Sequence, residues 1–214
     1  MDITYLTIVL VTILLSMTLH EAMHAFMGYF LGDDTAKSQG RLSLNPIKHI
    51  DPIMTIALPL FLAVMGGPIF GGAKPVPFNP HKVRYGEWGA ALVAIAGPLT
   101  NLLIAFVVFG VGVLSGVITS AGVEATLAGQ IVITAVSVNL GFFVFNMLPI
   151  PPLDGSRVLY ALAPDPVKAG MEYIERYGIF LVFGLVLIGA SVLGQIMAGG
   201  INGILQLFMT IFRV

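Results

Sequence analysis

Long apolar runs, separated by short polar loops, make up most of the chain. Four of them are long enough to cross the roughly 30 Å hydrocarbon core of a bilayer as α-helices. They lie at residues 3–31, 88–116, 131–147 and 177–197. A shorter apolar tail at residues 201–212 is predicted to lie at the membrane interface. The pattern therefore predicts an all-α polytopic membrane protein with about four full spanning helices.

A further apolar run, at residues 52–70, is less suited to a continuous spanning helix because it contains Pro59. The proline-rich residues 71–80 that follow it are predicted to be extended. If the run enters the membrane and returns, all ten Lys and Arg residues except Arg213 share one side. The positive-inside rule makes that side cytoplasmic. We therefore predict a re-entrant segment with short extended strands at the cytoplasmic side.

The composition agrees with a membrane protein. Of the 214 residues, 57% are hydrophobic and 10% are charged, whereas soluble domains carry about 25% charged residues. The net charge of −1 gives no reason to expect nucleic acid as a partner. The chain has no cysteine, which excludes disulfides and thiolate metal ligands. It is interpreted as one membrane domain spanning residues 1–214.

Three polar side chains interrupt the first apolar run, in the sequence His20-Glu21-Ala22-Met23-His24. An ionisable residue within a membrane helix costs about 2.5–3.5 kcal/mol on insertion scales, so it persists mainly where it has a function. Residues four apart share one helix face, so both imidazoles point to one spot with Glu21 beside it. This spacing suits two neutral imidazole ligands of Zn²⁺ and a carboxylate that takes a proton from water.

A catalytic zinc site usually has a third protein ligand, and Asp154 is the best candidate. Three prolines break the chain just before it, after the helix at 131–147, and Gly155 permits a turn. In the re-entrant topology that helix ends on the side toward which the two motif histidines are displaced. His49 and His81 lie in polar interfacial loops and are weaker candidates.

These motifs resemble those of the site-2 protease family of intramembrane zinc metalloproteases. The similar segments are His20-Glu21-x-x-His24, Ala96-Gly97-Pro98-Leu99-Thr100-Asn101 and Asn146-x-x-Pro149-x-x-x-Leu153-Asp154-Gly155. Residues 44–52 and 73–80 further resemble the small bacterial and archaeal branch that lacks PDZ and CBS domains. The resemblance covers about residues 1–160, the expected catalytic core, and leaves the helices at 161–214 without a specific match.

The resemblance implies an intramembrane zinc endopeptidase with one Zn²⁺ per chain. The implied metal ligands are His20, His24 and Asp154. Glu21 is implied as the catalytic proton acceptor. Asn146 is a candidate to orient substrate or stabilise an oxyanion, and Asn101 to support the site, although both amides could equally form interhelical hydrogen bonds.

The expected partners follow from the same resemblance. They are the lipid bilayer and membrane proteins that are cut within or near a transmembrane segment. The expected location is the cell (inner) membrane of a prokaryote, with most Lys- and Arg-bearing loops in the cytoplasm. The oligomeric state is left open.

Two other classes of protein could use the same side chains. A membrane metal transporter could bind an ion with His and Asp from several helices, but it would need a polar path to both faces. In this chain the polar groups cluster toward one face. A metal-binding scaffold without activity is the other alternative, and the intact Glu21 argues against it.

Overall fold

The computed structural model describes residues 2–64, 72–187 and 189–214. Within them the helices are α1 (Ile3–Phe30), α2 (Thr35–Ser38), α3 (Leu58–Val64), α4 (Gly86–Leu114), α5 (Leu127–Asn146), α6 (Asp154–Leu162), α7 (Asp165–Glu175), α8 (Gly178–Leu187) and α9 (Ala190–Phe212). A 3₁₀ turn at Pro46–Lys48 and a π-helical turn at Pro52–Ala57 precede α3. Four of these helices, α1, α4, α5 and α9, are long and apolar enough to cross a membrane. The expectation of an all-α polytopic membrane protein is confirmed.

The helices α1, α4 and α5 form an antiparallel bundle. Along α4, Val93 lies beside His24 and Asn101 lies beside His20, so α4 runs opposite to α1. Asn101 also contacts Asn139 of α5, and a Cβ on Gly112 would meet Val132, so α5 runs opposite to α4. Helices α1 and α5 are therefore parallel to each other, and their C-terminal ends lie on the same side. Asp154 follows the C-terminal end of α5.

The start of the predicted re-entrant run at residues 52–70 lies beside Gly72, which follows the end of that run. Gly72 N donates to Met54 O over 3.0 Å, and Thr55 Oγ1 donates to Gly72 O over 2.6 Å. Residue 72 has thus returned to the level of residue 54, as re-entry requires. The predicted path through residues 65–71 lies outside the described residues.

The predicted boundaries of the fourth span are wrong. The run at 177–197 is divided, because α8 ends at Leu187 and α9 begins at Ala190. The long helix is α9, and it includes the tail that was expected at the interface. The tail by itself is too short to span a bilayer, but α9 also includes the residues before it. Gly200 permits close packing there: a Cβ on Gly200 would lie 2.9 Å from a methyl of Val144 on α5.

The only strands among the described residues are β1 (Ile118–Thr119) and β2 (Gly122–Val123), which pair antiparallel between α4 and α5. They do not lie beside the re-entrant run, where short strands were expected. Residues 72–79 have no regular secondary structure. Pro75 and Pro77 provide no backbone N–H for a ladder.

Candidate metal centre

Two histidines of α1 and the first residue of α6 converge on one point. His20 Nε2 lies 3.3 Å and His24 Nε2 lies 3.5 Å from Asp154 Oδ2. The two Nε2 atoms are 3.0 Å apart. Asp154 is thus brought to two histidines that precede it by 134 and 130 residues in the sequence. They form the only group of three or more potential metal-ligating His, Cys, Asp or Glu side chains among the described residues.

Hydrogen bonds at the opposite ring nitrogens define the tautomers. His24 Nδ1 lies 2.8 Å from Val93 O, a carbonyl that can only accept, so Nδ1 carries the proton. His20 Nδ1 lies 2.6 Å from Asn101 Oδ1. In neutral imidazoles bonded in this way, both Nε2 atoms present lone pairs to each other and to the carboxylate.

This donor set fits Zn²⁺. Two lone pairs and a carboxylate oxygen at such distances repel one another unless a cation lies between them. Zn–N and Zn–O bonds of about 2.0–2.1 Å place tetrahedral ligand atoms about 3.3–3.4 Å apart, which is close to the separations of 3.0, 3.3 and 3.5 Å observed here. The Nδ1 partners are of the kind that orient metal-ligating histidines in proteins.

The backbone around Gly155 aims Asp154 toward α1. A Cβ on Gly155 would lie 2.3 Å from Met147 O and 2.7 Å from Leu148 O. Only glycine therefore allows α6 to begin so close to the end of α5. A turn was expected at Gly155, whereas the turn lies at Pro151 and Pro152 and Gly155 is the second residue of α6.

Helix α4 approaches the two imidazoles at a glycine. A Cβ on Gly97 would lie 2.4 Å from His24 Nε2 and 2.7 Å from His20 Nε2. Gly97 therefore has a physical role, which is to keep the space beside both candidate ligand atoms free of side chain.

Glu21 lies on the same helix as the two histidines and is 8% exposed. Its Oε2 accepts a hydrogen bond from Val76 N over 2.8 Å. This is its only hydrogen bond within the described part of the chain. One carboxylate oxygen is thus fixed, and the other is left to accept a proton.

Residues 72–80, here called the covering segment, pass over this carboxylate and are attached at both ends. Arg41 Nη2 donates to Lys74 O over 2.7 Å. Asn79 N donates to Asp33 Oδ2 over 2.8 Å, and Asp33 is 2% exposed. Sequence reasoning did not identify Asp33 or Arg41, because their contacts with Asn79 N and Lys74 O join residues far apart in the chain.

The two asparagines implied by the resemblance differ in their surroundings. Asn101 contacts a candidate ligand directly, through His20 Nδ1. Asn146 Nδ2 instead donates to Phe142 O of its own helix over 3.0 Å. Within the described chain, Asn146 makes no hydrogen bond to the three candidate ligands.

The remaining histidines stay outside the cluster. His81 is exposed, as expected for an interfacial loop. His49 is only 1% exposed, which differs from the solvated position predicted for it. It is buried because its ring bonds to Ser43 O and its own carbonyl accepts from Lys74 N.

Comparison with known proteins gives relatives of one kind. The chain is 42% identical over 207 residues to "Putative zinc metalloprotease YwhC" of Bacillus subtilis, covering 95% of this chain and 91% of the relative. It is 30% identical over 179 residues to "Putative zinc metalloprotease Rip2" of Mycolicibacterium smegmatis, covering 81% of this chain and 64% of the relative. A 67-residue match, also 42% identical, is to "Putative zinc metalloprotease MJ0611" of Methanocaldococcus jannaschii. No family model and no solved structure matches the chain.

The similarity to YwhC extends over nearly all of both chains, including the segments that carry both histidines and Asp154. The relatives bear the same kind of name, and the spanning helices agree with the resemblance found in the motifs. The chain belongs to the site-2 protease family of zinc metalloproteases.

Proposed function

We propose that this protein is an intramembrane zinc endopeptidase, which hydrolyses peptide bonds within or near transmembrane segments of membrane proteins. The observation that carries the proposal is the convergence of His20, His24 and Asp154 between helices that are long and apolar enough to span a bilayer. These three side chains would hold one Zn²⁺ per chain.

A bound Zn²⁺ supplies Lewis-acid chemistry, which activates water and polarises a carbonyl. The proton transfers belong to Glu21. Its free oxygen takes a proton from the attacking water and later delivers it to the leaving amide nitrogen. The Val76 N–H holds the other oxygen, so that the carboxylate does not rotate away from the reacting atoms.

The substrate must present an extended peptide bond, because a helix hides its backbone groups. We expect Gly, Pro or Asn in the target segment to favour cleavage by making local unwinding easier. The covering segment could pair with the unwound strand. The N–H groups of Lys74, Val76 and Asn79 are already bonded within the protein, so this pairing would use mainly backbone carbonyls as acceptors.

We place the protein in the cell (inner) membrane of a prokaryote with the end of α1 toward the cytoplasm. Two contacts support this orientation, because they place Lys- and Arg-bearing loop residues beside the C-terminal end of α1. Arg84 N donates to Leu31 O over 2.9 Å, and Lys82 Nζ lies 2.7 Å from Asp34 Oδ1. The positive-inside rule assigns such a side to the cytoplasm.

The proposal is tested by expressing the protein together with a panel of tagged single-span membrane proteins. We expect at least one to be cut by the wild type, and Glu21→Gln to lower the rate by about 10²–10⁴-fold, which is the usual contribution of general acid–base catalysis. Glu124→Gln makes the same chemical change in the exposed loop between α4 and α5 and should cut normally. Equal cutting by wild type and Glu21→Gln would refute the proposed role.

A further inference from the structure

Two buried amides connect the candidate metal centre to the body of helix α5. Asn101 is fully buried and Asn139 is 1% exposed. Asn101 Oδ1 lies 2.6 Å from His20 Nδ1, and Asn101 Nδ2 donates to Asn139 Oδ1 over 2.9 Å. Asn139 Nδ2 in turn donates to Ala135 O over 2.8 Å and to Ser16 Oγ over 2.9 Å. The chain of bonds thus runs from α5 through α4 to α1.

The donor and the acceptor of each hydrogen bond in this series follow from the bond to Ala135 O. Ala135 O can only accept, so the NH₂ group of Asn139 must face it and the oxygen of Asn139 must face Asn101. The NH₂ group of Asn101 then faces Asn139, and its oxygen faces His20. His20 Nδ1 must therefore carry the proton, which leaves the Nε2 lone pair directed at His24 and Asp154.

We propose that Asn139 is a positioning residue, which acts through Asn101 to fix the tautomer and orientation of the His20 imidazole for metal binding. This inference rests on the proposed metal-binding role of His20. Sequence reasoning did not identify Asn139, because no motif contains it.

The two histidines differ in how they are supported, and the difference explains why a second amide is needed. His24 donates to Val93 O, a backbone carbonyl with a fixed direction. His20 faces the side chain of Asn101, whose oxygen and nitrogen could exchange by rotation of the amide. Asn139 prevents the exchange, because a rotated Asn101 would set its oxygen against the oxygen of Asn139.

The surroundings of Asn139 make the loss of these bonds costly. Asn139 and Ser16 border a groove of about 450 Å³ whose lining is nearly all apolar. A buried polar group left without a partner costs about 1–3 kcal/mol. Water enters an apolar groove poorly, so a severed bond at this point is not readily replaced.

The test measures metal affinity, which does not depend on finding a substrate. Purified wild type and Asn139→Leu are compared by zinc competition with a chelator and by the visible spectrum of the Co²⁺-loaded protein. We expect Asn139→Leu to weaken zinc binding about 10-fold, at the lower end of the range for partners of metal ligands, and to alter the Co²⁺ bands.

A matched control separates positioning from packing. Val136 is fully buried on the same helix and belongs to the apolar cluster, so Val136→Ala should lower the unfolding temperature without changing zinc affinity. A double variant tests the route: once Asn101→Leu is present, adding Asn139→Leu should cause no further loss of affinity. If Asn139→Leu does not fold, Asn139→Val replaces it with the same expectations.

Three results would overturn the inference. They are wild-type zinc affinity in folded Asn139→Leu, additive losses in the double variant, or an equal loss of affinity in Val136→Ala. The outcome is distinguishable from failure of the proposed function. If the wild type cuts no substrate but zinc affinity falls in Asn139→Leu as expected, the proposed function fails and the role of Asn139 is supported. If the wild type cuts substrate but Asn139→Leu binds zinc normally, only the role of Asn139 is refuted.

Discussion

Helix α4 has two buried regions whose contacts are of different kinds. Its first half faces the polar centre, which consists of His20, His24, Asn101, Asn139 and Asp154. Its second half faces the apolar seam, which consists of Ala105, Phe109, Gly110, Phe208 and Phe212. In lipid an apolar side chain gains little by leaving one apolar environment for another, so the seam depends on close packing. In the polar centre each bond has a direction, so we expect changes there to affect chemistry and changes in the seam to affect only stability.

The largest effect should come from removing the carboxylate of the polar centre. Asp154→Ala leaves two protein ligands for the metal, so the loss of zinc affinity should exceed the roughly 10–100-fold that loss of a supporting partner causes. Zinc content and affinity of the purified protein measure it. Asp165→Ala, at the exposed start of α7, removes the same group elsewhere and should bind zinc as the wild type does. Full zinc occupancy in Asp154→Ala would remove that residue from the site.

A pair of glycine substitutions on α4 compares the two regions directly. Glycine to alanine within a helix normally stabilises by about 0.5–1 kcal/mol. In Gly97→Ala the new Cβ would lie 2.4 Å from His24 Nε2, so we expect zinc binding to be severely reduced. In Gly110→Ala the nearest atom is Cζ at the tip of the Phe212 ring, at 2.6 Å. That ring can turn aside, so zinc binding should be unchanged.

Zinc affinity and the unfolding temperature of both variants are the measurements. Loss of zinc binding in Gly110→Ala as well as in Gly97→Ala would mean that the two regions are not independent. Normal zinc binding in Gly97→Ala would mean that α4 does not approach the imidazoles as closely as described.

A smaller effect is expected from removing one aromatic ring from the apolar seam. Phe208 is 3% exposed, and its ring centroid lies 5.2 Å from that of Phe106 and 5.6 Å from that of Phe109. Phe208→Ala should destabilise the protein by about 1–3 kcal/mol, less than the 3–5 kcal/mol typical of soluble cores, because separated helices in a membrane remain surrounded by apolar lipid. Thermal unfolding in detergent measures this loss. An accompanying change in zinc affinity would contradict the separation of the two regions.

The smallest effect belongs to an exposed ion pair outside both regions. The hydrogen bond from Lys82, together with its charge, lowers the pKa of Asp34. A lowered folded-state pKa means that this pair stabilises the protein above the ordinary pKa of aspartate and that the stabilisation is lost as the pH falls through the lowered value. Asp34→Asn should therefore reduce the unfolding temperature slightly at pH 7, less than Phe208→Ala does, and by a smaller amount at pH 2. A larger loss at pH 2 than at pH 7 would have the wrong sign.

The comparison also explains how much could be predicted from the sequence. Polar residues within an apolar run are conspicuous, which is why His20, Glu21 and His24 could be identified. Asn139 provides the same signal, as a polar amide within the third run, but unlike Asn146 it belongs to no motif. Its importance depends on Asn101, which lies 38 residues away in the sequence.

The least reliable prediction concerned the boundaries of the last helices, because the apolar seam contains no conspicuous polar residue. Apolar composition alone does not define where one helix ends and the next begins, so the break between α8 and α9 was missed. Gly200 is needed so that α9 can approach Val144. Such a requirement is visible only when the partner helix is in place.

X-ray absorption at the zinc edge of the purified protein shows whether His20, His24 and Asp154 bind one Zn²⁺. We expect one zinc per chain, with two imidazole nitrogens and at least one oxygen at about 2.0–2.2 Å, and loss of the imidazole scattering in the double variant His20→Ala/His24→Ala. Zinc that is surrounded by oxygen alone, or that keeps its imidazole scattering in the double variant, would mean that these side chains do not hold the metal.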